Sequence, residues 1–117
     1  MPSMPEPMVG EVWEVLFGSG FGREQQGIRP ALVISNQDYN GIPHGLCIVV
    51  PMTGTQRGVA SRLDIAPPEG GLTKPSVILC EQVRALSLPR FRRKRGEVTG
   101  ETLQRVQAVV GAFIYRV

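Results

Sequence analysis

One histidine and two cysteines in 117 residues leave little material for the commonest catalytic chemistries. A lone histidine excludes the paired-histidine acid/base arrangement, and His44 stands in a turn-rich stretch where a solvated imidazole is the ordinary reading. Cys47 and Cys80 lie inside apolar runs without ligand spacing. They read as buried free thiols rather than a zinc site or a disulfide. The carboxylates of Asp38, Asp64, Glu69 and Glu81 are scattered, which argues against a metal-dependent nuclease, and no metal or cofactor is expected. The stretch Met1–Met8 carries three prolines but neither a basic start nor an apolar run. It is therefore neither signal peptide nor membrane anchor, and residues 1–8 read as a flexible tail on a cytoplasmic protein.

What remains, residues 9–117, fits a single domain of mainly β structure. Val9–Phe17 alternates so that Trp13, Val15 and Phe17 share one face, yet Val12 and Leu16 make the opposite face apolar as well. Such a strand suits a small barrel, or a sheet covered on both sides, a second subunit included. Leu32–Ile34, Leu46–Val50 and Ser76–Cys80 read as further buried strands, and Arg62–Ile65 alternates like a half-exposed one. Residues 37–45 hold turn residues and one helical turn. Thr99 is a helix N-cap with Glu101 in the first turn, and Leu103, Val106, Val109, Val110, Phe113 and Ile114 form one stripe of a helix from about Gly100 to Tyr115. The expected architecture is a small, curved β barrel or sheet closed by a carboxy-terminal helix.

Arg29 is the residue on which the functional reading turns. Pro30 lacks an amide hydrogen and suits the first position of a strand, and it holds Arg29 extended, so a guanidinium is aimed from a strand mouth. Read locally, Arg29 is either that or a surface arginine lying along its strand. Thr53 occupies the matching place after Val50-Pro51-Met52, where a hydroxyl often only bonds the turning backbone. Residues 18–27 are polar and glycine-rich. They are no phosphate cradle, because a strand rather than a helix follows, so they read as a flap over a site or as a long hairpin loop. Gln82 and Arg84 share a face if Glu81–Leu86 is a strand. Arg90, Arg92, Arg93, Lys94 and Arg95 supply five of the thirteen basic residues in a chain of net charge +3; they read as a phosphate-contacting patch or a solvated loop.

These pieces, in order, resemble the MazF/PemK-like toxins of bacterial toxin–antitoxin pairs. The likeness is carried by Gly10-Glu11-Val12-Trp13, by Glu24-Gln25-x-Gly27-x-Arg29-Pro30-x-x-Val33-Ile34-Ser35-Asn36, by Val50-Pro51-Met52-Thr53 and by Leu79-Cys80-Glu81-Gln82-Val83-Arg84. The resemblance implies an SH3-like β barrel, a homodimer, a cognate antitoxin, and sequence-selective, metal-independent cleavage of single-stranded RNA as an mRNA interferase. It places the catalytic arginine on Arg29 and the catalytic hydroxyl on Thr53, with Glu24 as a proton-transfer candidate. Arg23, Gln25, Arg57, Gln82 and Arg84 are then RNA-binding candidates, and the 90–95 run a candidate contact for RNA or antitoxin. Ile28 and Gly54 depart from residues common in relatives, a polar residue before the arginine and a small hydroxyl residue after Thr53. Two rival functions remain: a non-enzymatic toxin of the CcdB type that binds DNA gyrase, and an inactive RNA-binding barrel.

Overall fold

Alternation along β1 (Glu11–Leu16) buries Val12 in one core and Val15 in another, so this strand is covered on both faces within a single chain. The structure, a computed structural model, describes residues 4–54 and 62–115. β1 is followed by β2 (Ile28–Val33), α1 (Gln37–Asn40), β3 (Leu46–Thr53), β4 (Arg62–Ile65), β5 (Ser76–Leu79), β6 (Arg84–Ser87), β7 (Phe91–Glu97) and α2 (Gly100–Ala112). The strands pair antiparallel in the order β4-β5-β3-β2-β1-β7, with β6 also on β3. Among the described residues no helix is long and apolar enough to cross a membrane.

The first core joins Val12, Leu32, Val50, Met52 and Ile78 to Val106 and Val110 of α2; the second joins Val15, Ala31, Val33, Cys47 and Val49 to Leu86 and Phe91. Each fully buried Val or Leu contributes about 1.5–3 kcal/mol. Both cysteines are free and buried, and burial pushes each thiol up to about 11. Asn36 caps α1 by accepting the Asp38 and Tyr39 amides, and His44 accepts the Leu46 amide while packing 4.7 Å from the Tyr39 ring. Pro7 is buried, and its carbonyl accepts from the Asn40 amide group.

Five details differ from the expectation. β3 does not end at Val50 but runs through Pro51 to Thr53, because the buried Met52 and Thr53 pair with β5. The 90–95 run is not a loop: from Phe91 it is strand β7, although Phe91 alone supplies an apolar anchor, because β1 brings glutamates to meet it. Cys80–Gln82 form a 3₁₀ turn, so the period-two relation between Gln82 and Arg84 does not hold. Pro30 is the third residue of β2, not the first. The stripe on α2 is buried only as far as Val110; Phe113 and Ile114 lie past the helix, 51% and 76% exposed. Thr99 does cap α2, accepting the Thr102 amide, and Glu69 in turn accepts the Thr99 amide at 2.9 Å.

Candidate active site

β3 has two sets of partners, and the change between them opens a cleft. It pairs with β2 through Ala31↔Pro51, then turns to β5 through Met52↔Ile78 and Thr53↔Val77, while β2 continues along β1 through Val15↔Arg29. Two residues beyond Ala31↔Pro51 on each strand stand Arg29 and Thr53. The register thus sets them across from one another at the point where the strands part. Pro30 fits here because its missing amide falls where β3 has left the pairing. Arg29, Pro30, Met52, Thr53 and Lys74 line a cleft of about 150 Å³. Thr53 is only 8% exposed, whereas Arg29 is exposed. The Arg29 Nε donates to the Gln26 carbonyl at 3.2 Å, which ties the guanidinium to the end of the flap; its terminal amino groups make no bond among the described residues.

Lys74 was not picked out from the sequence, yet it stands over the same cleft. Its loop crosses β7 at a contact between main chains: a Cβ added to Gly71, whose φ is +69°, would meet the Arg95 carbonyl oxygen at 2.0 Å. The Arg95 guanidinium donates to the Gly71 carbonyl and holds the crossing from the other side. A signal for Lys74 did exist. Lys74-Pro75 precedes β5 as Arg29-Pro30 lies near the start of β2, and each proline restricts the backbone of the cation before it. No carboxylate lines this cleft.

Glu24 is elsewhere. With Gln25, Phe17, Gln82 and Arg84 it lines a second recess of about 390 Å³ on the flap side of the barrel. The flap is a closed hairpin loop, joined at its base by Phe17 N–H to Gly27 O and Gly27 N–H to Gly18 O. Gln82 clamps it from the 3₁₀ turn, accepting the Gln25 amide at 3.0 Å and donating to the Arg23 carbonyl at 2.9 Å. Glu24 accepts the Phe21 amide within the loop. The Arg84 guanidinium lies 5.7 Å from the centre of the Phe17 ring, a cation–π distance. The structure therefore brings together Arg29 and Thr53 in one recess, and Glu24, Gln25, Gln82 and Arg84 in another. Arg57 lies outside the described residues.

The basic run is engaged within the fold. Arg90 donates to the Leu16 carbonyl and Arg92 to the Pro89 carbonyl; Arg93 and Arg95 both reach Glu14, and Lys94 bridges Glu11 and Glu97. The Arg93 bond, with Arg95 beside it, holds the Glu14 carboxyl below the usual range despite some burial. Burial would raise Glu11, but bonds from the Trp13 indole, the Met8 amide and Lys94 outweigh it and the net shift is downward. The bond to Glu11 raises Lys94.

The curved antiparallel sheet closed by a carboxy-terminal helix is shared with solved structures of a class of toxins. The crystal structure of MazF (Form-I) from Deinococcus radiodurans superposes with a TM-score of 0.80 at 29% identity, covering 94% of this chain and 97% of that one. A MazE–MazF structure (Form-II) from the same organism gives 0.73 at 27% identity, over 97% and 99%. In sequence, the endoribonuclease toxin MazF of Escherichia coli K12 is 32% identical over 115 residues, spanning 97% of this chain and 99% of its own length. Residues 8–114 match the family described as PemK-like, MazF-like toxin of type II toxin–antitoxin system. The chain belongs to that family.

Proposed function

We propose that this protein is an endoribonuclease toxin that cleaves single-stranded mRNA in the cytoplasm, without a metal ion, and is silenced by a cognate antitoxin. The observation that carries the reading is the register that sets Arg29 across from Thr53 in a cleft without carboxylates. RNA supplies its own nucleophile. The 2′-hydroxyl loses its proton and attacks phosphorus, the bond to the 5′-oxygen breaks, and that oxygen takes a proton, leaving a 2′,3′-cyclic phosphate and a 5′-hydroxyl. Arg29 faces the charge that builds on the phosphoryl oxygens, and its planar fork matches two of them. A preorganised donor of this kind is worth about 3–4 kcal/mol, or 10²–10³ in rate. Thr53 holds the phosphate by a hydrogen bond from a backbone fixed by its pairing with β5.

A guanidinium carries only donors, so Arg29 suits donation of a proton toward the leaving oxygen and is a poor base. Glu24 lies in the other recess, with Gln25, Gln82 and Arg84. In this reading those residues contact the bases beside the cut, and solvent takes the 2′-proton. Of Arg84 and the 90–95 run, Arg84, Arg90 and Arg92 make no ion pair with a carboxylate among the described residues, and they are offered to the antitoxin as well. The exposed Phe113, Ile114 and Tyr115 at the end of α2 support a homodimer.

The test is cleavage of a mixed-sequence RNA in excess EDTA by wild type and Arg29→Ala, followed by the wild-type cut site remade with a single 2′-deoxy sugar. Cleavage by wild type alone, abolished by the deoxy sugar, is expected. Failure of wild type to cut any RNA overturns the reading in favour of a toxin that binds a protein target.

A further inference from the structure

Besides Arg95, which is paired with Glu14, the cleft has a cation that the mechanism above does not use. Among the described residues Lys74 makes no ion pair, and all ten Asp and Glu side chains of the chain lie among those residues. The backbone that carries it is nevertheless held in place. The loop that carries it is pinned by the Gly71 crossing and by Arg95, and Pro75 restricts its backbone. The end of its side chain rests on Gly54, the residue after Thr53: an added Cβ at that position would stand 3.2 Å from Lys74 Cε and 3.6 Å from Nζ. A Cβ there would make Lys74 Cε give by a few tenths of an ångström and would touch the ammonium at ordinary contact distance.

We propose that Lys74 is a second phosphate-binding residue of the cleft, holding an RNA backbone phosphate next to the one that Arg29 faces, and that the bare backbone at Gly54 leaves Lys74 its present position. The proposal rests on the nuclease reading for its ligand, a single-stranded polynucleotide. An ammonium is a compact point charge that holds one phosphate without the planar match of a guanidinium, so its contribution is to affinity and alignment rather than to charge on the transition state. A neighbouring phosphate held in place keeps the scissile one in line for attack.

The experiment uses full-length protein and an uncleavable oligonucleotide, the preferred RNA sequence with every 2′-oxygen methylated, titrated at several sodium chloride concentrations. Lys74→Met keeps the aliphatic stem and removes the charge. Expected are about tenfold weaker binding, a fall of about 0.7 in the slope of log affinity against log salt, the mark of one lost phosphate contact on a single strand, and an unchanged melting midpoint. Lys74→Arg restores the slope. Gly54→Ala is expected to weaken binding about threefold in the wild-type background and not at all when combined with Lys74→Met, since residues that act through one another are not additive. An unchanged slope in Lys74→Met overturns the proposal, as does an equal effect of Gly54→Ala in both backgrounds. If wild type binds the oligonucleotide but cuts no RNA, the nuclease reading fails while the salt slope still decides the role of Lys74. Absence of binding by wild type overturns the role of Lys74, and the cleavage assay decides the nuclease reading separately.

Discussion

Two groups of basic side chains meet at Arg95, and they differ in what surrounds them. Along β7, Arg93, Lys94 and Arg95 face Glu11, Glu14 and Glu97, so positive charge is matched across the β1–β7 pairing. At the parting of β2 and β3, Arg29 and Lys74 face hydroxyls and backbone, and no carboxylate lines the space. The densest basic stretch of the sequence is thus a seam between strands, and two isolated cations make the electropositive site. Local charge counts cannot separate these cases. Pairing across strands decides which charges are left to meet a ligand.

The contrast is broken most severely where the two regions touch. Gly71→Ala drives a Cβ into the Arg95 carbonyl and requires a side chain at positive φ, so a loss of at least about 3 kcal/mol is expected, seen as a collapse of the denaturant midpoint. Next in size is Arg29→Lys, which keeps the charge and discards the fork. Its melting temperature should match wild type while RNA cleavage falls about 10- to 100-fold.

Glu14→Gln probes the seam instead. It strands Arg93 and Arg95 and should cost about 0.5–1 kcal/mol at pH 7 while leaving cleavage intact. The folded carboxyl titrates below its unfolded value, so its stabilisation is complete above about pH 4.3 and is lost as pH falls through the folded pKa. The gap in melting temperature between wild type and the variant should therefore close in acid. Smallest of all is Arg93→Ala, an exposed partner of Glu14, expected to change stability by less than about 0.5 kcal/mol and cleavage by less than twofold. A large loss of cleavage in Arg93→Ala would return the basic run to the site.

Much of this frame is legible in the residues. Alternation in β1, the apolar runs of β2, β3 and β5, and the Thr99 cap mark elements that the structure contains, because each signal is local. That Arg29 and Thr53 stand near strand ends is also legible, although Pro30 and Pro51 both lie inside their strands. The register of Arg29 and Thr53 is not, since it depends on β3 changing partners from β2 to β5. β7 was hidden because its cations are matched by glutamates about eighty residues earlier, as in the pairing of Arg93 with Glu14. Gln82 looked like a surface reader of RNA and is also the clamp on the flap, a contact across 57 positions. Lys74 was missed although its proline repeated the pattern at Arg29, because its loop is set by a crossing of main chains that no side chain announces.

That crossing bears on how loss-of-function variants of such a protein are to be sorted. A selection for cells that survive expression recovers any change that removes toxicity, whether it empties the cleft or prevents the chain from folding. Substitutions at Gly71 and at Gly96, where an added Cβ would meet the Gly71 amide nitrogen at 2.7 Å, belong to the second kind, yet they sit beside the residues of the first. Survivors at positions 71 and 96 should yield little intact protein, and survivors at 29 and 53 should yield it in full. Measuring protein yield alongside survival separates the architecture of the site from its chemistry.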